Sequence, residues 1–509
     1  MSLRVVRAVA GLLAVVLISS APGGEGRGGA AQPEPSAAGL SRAAAWRLER
    51  LTLTDGSVIE GLSITPAPAV EADGVHFVEI VRRPGRPMHL VTRRFPADRI
   101  GSIDLLPADE RATLAAHVDA FRSRNRDERE AAAGLRLTRR ADDGPWRFAG
   151  PMFDLESSAG QPLTRLAIVR LESLLAAFET LVPPSAGAAA GRRLTVRLCG
   201  SPAEYAQTQA ECGVEVANPA FYMPGRSLLV AGGDVPVVLT QAERAADGLA
   251  ATEQRQEDLD DEVAAGLRRL ADQLEAQGIP ASQRAEIVAR TRARWRREKS
   301  AVLARVDRAR KGNDSRVARA EGDFLTSLAH EAWHAYADLR LAAALPAWLD
   351  EGLAQVFEGG LLEAGELRLD APDAGRLARL AELLTSRPPG LLPPLVAGDE
   401  GQFVVGRGHA AATSREAYLL AWGLAYDLTL GAPVLSAPAL AALAAANGDR
   451  TVGFERLVGM PIAAFETGWR DRMLTLARRA PRLTTTSDAP AGGPPVPATG
   501  AATPTAQDR

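Results

Sequence analysis

Residues 325–340 read "LTSLAHEAWHAYADLR" and place His330, Glu331 and His334 within five residues. The whole chain of 509 residues has only six histidines, so two of them four apart call for a reason. Phe324, Leu325, Leu328, Ala332 and Leu339 recur at helical spacing, which predicts an amphipathic helix with Asp323 as its N-cap. Positions four apart are neighbours on a helix surface, so both imidazoles can aim at one point. Glu331 is turned by about 100° from His330. It points beside the shared target, where a base that takes a proton from water would stand. This is the physical content of H-E-x-x-H.

A metal site of this kind needs a third ligand. An ending with glycine three and histidine six positions beyond the second histidine is excluded by Ala337 and Arg340. An aspartate ligand, Asp338 or Asp350, has no supporting motif. A glutamate on the next helix fits better. "LPAWLDEGLAQVFEGG" (345–360) has Pro346 for a first turn, Leu349, Leu353 and Val356 as a packed stripe, and Gly359-Gly360 as a stop. Glu351 lies off that stripe, on the side of Trp348 and Gln355, and the intervening turn lets it approach the histidines.

"HEAWH", followed after sixteen residues by the glutamate of "WLDEGLA", resembles the gluzincin zinc metallopeptidases. Their shared pattern is H-E-x-x-H, a spacer, then a glutamate often set in W-L-x-E-G-x-A. The likeness is close over 325–358. A looser one over 150–480 is to exported bacterial proteins with a peptidase MA-like domain, carried by "FYMPGRSLLV" (221–230) and "LVGMPIAAFETGWRDRM" (457–473). The resemblance implies one Zn²⁺ held by His330, His334 and Glu351, Glu331 as general base, and a protein or peptide substrate. Two neutral imidazoles and one carboxylate leave such an ion a net +1 and an open position. Relatives of this type use a tyrosine or histidine from a downstream helix to stabilise the oxyanion. Tyr418, in "SREAYLLAWGLAYDL" (414–428), is the first choice, with Tyr426 and His409 as alternatives. The G-x-M-x-N segment of the aminopeptidase branch is absent, so recognition of a free N-terminus is not implied.

Other residues near the motif read as structural. Trp333 and Tyr336 are expected to pack, Asp338 to face solvent, and His76, His89 and His117 to be structural or surface residues.

The fold class expected around this site is α+β and helix-rich. Residues 1–21, with Arg4 and Arg7 before an apolar run and small residues at Ser19-Ser20-Ala21, read as a signal peptide. The expected location is therefore periplasmic or extracellular, with membrane contact only through an uncleaved leader. Residues 22–45 and 481–509 are rich in small residues and proline and are predicted to be disordered. Alternation around Asp55-Gly56 predicts a hairpin within a small antiparallel, SH3-like β unit over 46–106. A helical connector (107–144) and the metallopeptidase-like domain (145–480) follow. Into that domain is inserted a charged antiparallel helical hairpin, 240–312, broken at Gly278-Ile279-Pro280. Its stripes are Val263, Leu267, Leu270 and Leu274 on one arm and Val288, Trp295, Val302 and Val306 on the other.

Net charge is −3, which gives no field to attract nucleic acid. Hydrophobic residues at 46% and charged ones at 24% are ordinary for globular chains. Cys199 and Cys212 leave one disulfide open in an oxidising compartment. The hairpin is the place for a protein partner or for restricting access to the cleft. Two other function classes fit the same residues: a non-catalytic binding or scaffold protein using the β unit and hairpin, and a zinc amidase acting on cell-wall material.

Overall fold

A computed structural model describes residues 46–479 apart from 65–73, 83–87, 124–134, 140–143, 186–191, 217, 342–343, 360, 364–365, 369–371, 404–408, 432–433, 436 and 445–448. The expected signal peptide (1–21), leader (22–45) and tail (481–509) lie outside the described residues. The described chain is α+β, with two sheets and a largely helical remainder.

The first sheet begins with β1 (Glu49–Leu53) and β2 (Val58–Ser63), paired antiparallel. Their turn is the expected one: Gly56 takes φ 85° and the Asp55 carboxylate accepts the Ser57 N–H at 2.9 Å. β3 (Val75–Val81), β4 (His89–Phe95) and β5 (Ile100–Asp104) complete the N-terminal strands. Strand alternation sorts the apolar side chains. Leu51, Ile59, Val75, Phe77 and Phe95 pack together, while Leu62, Val78, Ile80 and Leu90 are covered by Leu114, Val118 and Phe121 of α1 (Ala108–Arg122). The part of the expected connector helix beyond Ser123 lies outside the described residues.

The second sheet is built from β6 (Thr138–Arg139), β7 (Trp146–Ala149), β8 (Phe153–Ser157), β9 (Leu194–Leu198), β10 (Ala220–Met223) and β11 (Leu228–Ala231), in the order β10-β11-β9-β8-β7-β6. β6 belongs to the expected connector, so that segment is not wholly helical. β8, β9 and β11 run parallel, and β10 is antiparallel at the edge. Parallel neighbours need a crossover. Helix α2 (Gln161–Leu181) links β8 to β9. Helix α3 (Pro202–Cys212) follows β9, with Ser201 capping its N-terminus through the Glu204 N–H at 3.2 Å and Gly213 in the left-handed region at its end. β10 and β11 form the expected hairpin around Pro224. Both cysteines are free, with Cys199 buried.

The helical hairpin is present but differs in extent. Helices α4 (Val235–Ala276) and α5 (Ala281–Arg340) meet at Gly278, whose φ is 74°. Leu267, Leu270 and Leu274 are buried on one arm, Trp295 and Val306 on the other. The Trp295 indole N–H donates to Asp260 at 2.7 Å, and Arg310 pairs with Glu253 at 2.6 Å. Asp323 starts no helix. It lies exposed inside α5, which runs unbroken for 60 residues, about 90 Å. Residues 313–322, between the hairpin arm and Asp323, are mostly exposed and carry no apolar stripe, so the sequence does not mark that the helix continues through them.

Helix α6 (Ala347–Glu358) carries "WLDEGLAQVFE" and stops before Gly359. A short hairpin follows, β12 (Leu361–Glu363) and β13 (Glu366–Arg368), and β13 pairs in parallel with β4 of the first sheet. This corrects the barrel expectation. β5 pairs with β1, β4 is taken by β13, and the seven-stranded sheet stays open in the order β12-β13-β4-β3-β2-β1-β5. Buried Glu366 locks the junction, accepting from Arg122 at 2.7 and 2.8 Å and from Thr92. Strands of three residues are too short to show alternation, which is why the sequence hid them.

The remainder is helical: α7 (Ala374–Ser386), α8 (Leu392–Ala397), α9 (His409–Tyr426) with a π-turn at Asp427–Gly431, α10 (Ala437–Ala444), α11 (Arg450–Val458) and α12 (Ile462–Arg479). One large core joins α2, the last turns of α5, α6 and α9. At its centre the Phe178 ring of α2 meets Trp333, Tyr336 and Phe357 at centroid distances of 5.4, 5.6 and 4.5 Å. Trp333 and Tyr336 are thus packing residues. Among the described residues no helix is long and apolar enough to cross a membrane.

Candidate metal centre

The inner face of α5 packs into the core through Leu328, Ala329, Ala332, Trp333, Ala335 and Tyr336. That orientation leaves His330 and His334 on the flank that faces α6. Helix α6 buries Leu349, Leu353 and Val356, which turns Glu351 the other way, toward the histidines. The expected trio does come together. His330 Nε2 lies 3.5 Å from Glu351 Oε2, His334 Nε2 lies 3.8 Å from Glu351 Oε1, and the two Nε2 atoms are 3.2 Å apart. All three donor atoms fall within 4.8 Å of one another. A tetrahedral site with bonds of ~2.0–2.1 Å has edges of about 3.3–3.4 Å, so the trio is close to one face of such a site. The side chains remain 18–21% exposed, enough to be reached from solvent.

What aims the imidazoles is a second set of carboxylates. His330 Nδ1 is 2.9 Å from Glu358 Oε2, and His334 Nδ1 is 2.9 Å from Asp350 Oδ2. Ionised carboxylates only accept, so each Nδ1 carries a proton and each Nε2 is the atom turned to the shared point, where it offers a lone pair once its own proton is lost. The two carboxylates are themselves held. Asp350 Oδ1 accepts the Trp333 indole N–H at 2.9 Å, and Glu358 Oε1 accepts from Arg376 of α7 at 2.6 Å. No motif in the sequence marks either role: Asp350 reads there only as a ligand candidate, and Glu358 belongs to no motif. A signal existed: Glu351, Gln355 and Glu358 form a polar stripe at i, i+4 and i+7 opposite the leucines of α6.

The charges call for a cation. Glu331, Asp350, Glu351 and Glu358 cluster about two imidazoles and one guanidinium. Burial lowers the His330 pKa, but Glu351 and Glu358 outweigh it and hold it up at about 10. His334 follows the same pattern: burial lowers it, and Asp350 together with Glu351 raises it above its ordinary value. Burial pushes the Glu331 carboxyl up, against the pull of His330, His334 and the Tyr222 backbone N–H of β10. That direction suits a general base near neutral pH. Buried Glu351 Oε2 has no hydrogen-bond partner, and the two Nε2 atoms face each other at 3.2 Å. Two imidazole nitrogens and one carboxylate, whose buried Oε2 is left without a partner, form a donor set suited to zinc.

The other nominated residues fall as follows. Tyr418 sits on α9, against α6, where its carbonyl accepts the Gln355 amide at 2.9 Å. Its hydroxyl donates to the Phe403 carbonyl at 2.8 Å. Glu351, Glu331 and Glu358 all act on the Tyr418 phenol, so it borders the cluster. Burial first, and those carboxylates second, push its pKa far up. Tyr426 is buried beside Trp422. The side chain of His409 lies outside the described residues. Asp338 is exposed but engaged: it accepts from the Tyr222 hydroxyl at 2.6 Å and from Arg192 at 3.0 Å. It thereby pins β10 to α5. His89 bonds Thr180 at 3.2 Å and His117 stacks on Trp46 at 4.9 Å, both structural roles. No family model matches the chain, and no curated protein or solved structure matches it either.

Proposed function

We propose that the chain is an exported zinc metallopeptidase that hydrolyses peptide bonds, with His330, His334 and Glu351 as the metal ligands and Glu331 as the general base. The convergence of three donor atoms within 4.8 Å, with Glu331 one residue along the same helix, is the observation that carries the reading. When bound, zinc supplies a Lewis acid that makes water nucleophilic near neutral pH and polarises a carbonyl. His330 and His334 present Nε2 because Glu358 and Asp350 hold Nδ1. Glu331 accepts the proton of the attacking water and returns it to the leaving amine.

A peptide is favoured over cell-wall material by β10. This strand ends its sheet, packs along α5, and its Tyr222 N–H bears on Glu331. An extended peptide can add to such an edge through main-chain hydrogen bonds. Tyr418 acts as the proposed oxyanion donor only by exchanging the Phe403 carbonyl for substrate. Export rests on the leader-like sequence of 1–21.

The test pairs zinc stoichiometry with cleavage of a peptide library, comparing wild type and Glu331→Gln. The expected result is one zinc per chain in both and cleavage in wild type alone. Equal cleavage by both proteins removes Glu331 from the mechanism. Absence of zinc from both removes the reading as a whole.

A further inference from the structure

We propose that Arg376 is a positioning residue of the metal centre, acting through Glu358 on His330; this rests on the metal-centre reading above. Arg376 belongs to α7, a helix with no ligand of its own, and stands in its first turn, where the Asp373 side chain accepts its backbone N–H. Its guanidinium makes three contacts with neighbouring elements. Nη2 donates to Glu358 Oε1 at 2.6 Å, Nη1 donates to the Gln355 carbonyl near the end of α6 at 3.1 Å, and the group lies 5.6 Å from the Trp422 ring of α9. The planar fork therefore spans a side chain and a backbone carbonyl on one helix while resting on another.

The two histidines are supported differently. The carboxylate behind His334 is fixed by a neutral indole N–H, that of Trp333, which α5 itself supplies. The carboxylate behind His330 is fixed by a cation from a separate helix. Glu358 is the last residue of α6, with no further helical turn beyond it to hold its side chain in place. Without Arg376, one of its oxygens loses its charged partner and the side chain is free to leave His330. The Nδ1 anchor would then go, and with it the fixed direction of Nε2. Outer partners of this kind change metal affinity by ~10–100-fold when removed.

The experiment is a zinc titration against a competing chelator on the purified full chain. The proteins are wild type, Arg376→Met, Arg376→Lys, Glu358→Gln and the Arg376→Met/Glu358→Gln double variant, each checked by thermal unfolding. The expected result is a fall in affinity of about ten-fold or more for Arg376→Met and for Glu358→Gln. The double variant should be no weaker than Glu358→Gln alone, because Arg376 has nothing left to act through. Arg376→Lys, which keeps the charge but not the fork, should fall between wild type and Arg376→Met. Wild-type affinity in a folded Arg376→Met variant overturns the proposal. So does a double variant whose loss is the product of the two single losses, since Arg376 then acts independently of Glu358. A wild-type protein that binds no zinc refutes the metal centre itself and takes the proposal with it. That outcome is distinct because it appears before any substitution is made.

Discussion

Gly352, the glycine of "WLDEGLA", lets α6 approach α9 until backbone meets backbone, and Gly352→Ala tests whether that approach places Glu351. A Cβ at this position would stand 2.8 Å from the Ala425 Cβ and 2.9 Å from the Ala421 carbonyl carbon, and nearer still to the Ala421 oxygen. Ordinary carbon contacts are ~3.5–4.0 Å, so the helices must part by about 1 Å. The obstacle is backbone and a methyl-sized side chain, neither of which can swing away. Overpacking of this kind costs about 1–3 kcal/mol. Alanine recovers about 1 kcal/mol of helix propensity, leaving a net loss of about 0–2 kcal/mol. The effect on the site is sharper. Glu351 is the next residue along, and metal–ligand distances tolerate only about 0.2 Å, so a 1 Å shift of α6 should misplace its carboxylate. The assay is urea unfolding of the metal-free protein together with zinc affinity by chelator competition. The expected outcome is a small loss of stability and a large loss of affinity. A variant more stable than wild type, with unchanged zinc binding, would refute the claim that this close approach sets the ligand geometry.

Asp350→Asn should keep the side chain's shape but weaken the grip on the His334 Nδ1–H, lowering zinc affinity by ~10–100-fold, read by the same chelator competition. The metal-free protein should lose stability as pH rises from about 6.5 to about 10, because His330 is raised to about 10 in the fold and its stabilising protonation is complete only below its unfolded value. Thermal unfolding across that range checks it, and saturating zinc, which occupies Nε2, should flatten this part of the profile. Arg472→Leu strands the buried Asp427, which Arg472 holds at 2.6 and 3.0 Å, and should cost about 3–5 kcal/mol in urea unfolding, whereas replacing both partners by apolar residues should cost less.

The three residues of the candidate site were legible because each is announced locally. His330 and His334 share a helix face by spacing alone, and Glu351 stands off a leucine stripe that had to be buried. The residues that aim them were not legible, since Glu358 and Arg376 meet only once α6, α7 and α9 are packed. The same limit explains the first sheet. β1 to β4 follow from alternation and the Asp55-Gly56 turn, while the outer partner of β4 is a three-residue strand 276 positions away. Asp323 is the converse case. It has the residue type of a helix cap, but the chain before it is already helical, and nothing in a solvated, charged segment marks that continuity.

Packing contacts from several elements support the site. Trp333 fixes Asp350 from within α5, Gly352 seats α6 on α9, and Arg376 ties the end of α6 to α7. Three separate contacts thus support the trio from within the protein. This arrangement has an electrostatic cost. Four carboxylates and one guanidinium, with two imidazoles between them, are held close in a partly buried space, and protons on the imidazoles and on Glu331 relieve the repulsion in the metal-free chain. A divalent cation relieves the same repulsion without needing the protein to fold around it. Zinc should therefore act as a ligand of a preformed site, stabilising the protein in proportion to the logarithm of its concentration above the dissociation constant. In small metal-dependent domains, by contrast, the ion brings the fold about. Retention of the metal-free far-ultraviolet helical signal, with an unfolding midpoint that climbs steadily with added zinc, is what this construction demands.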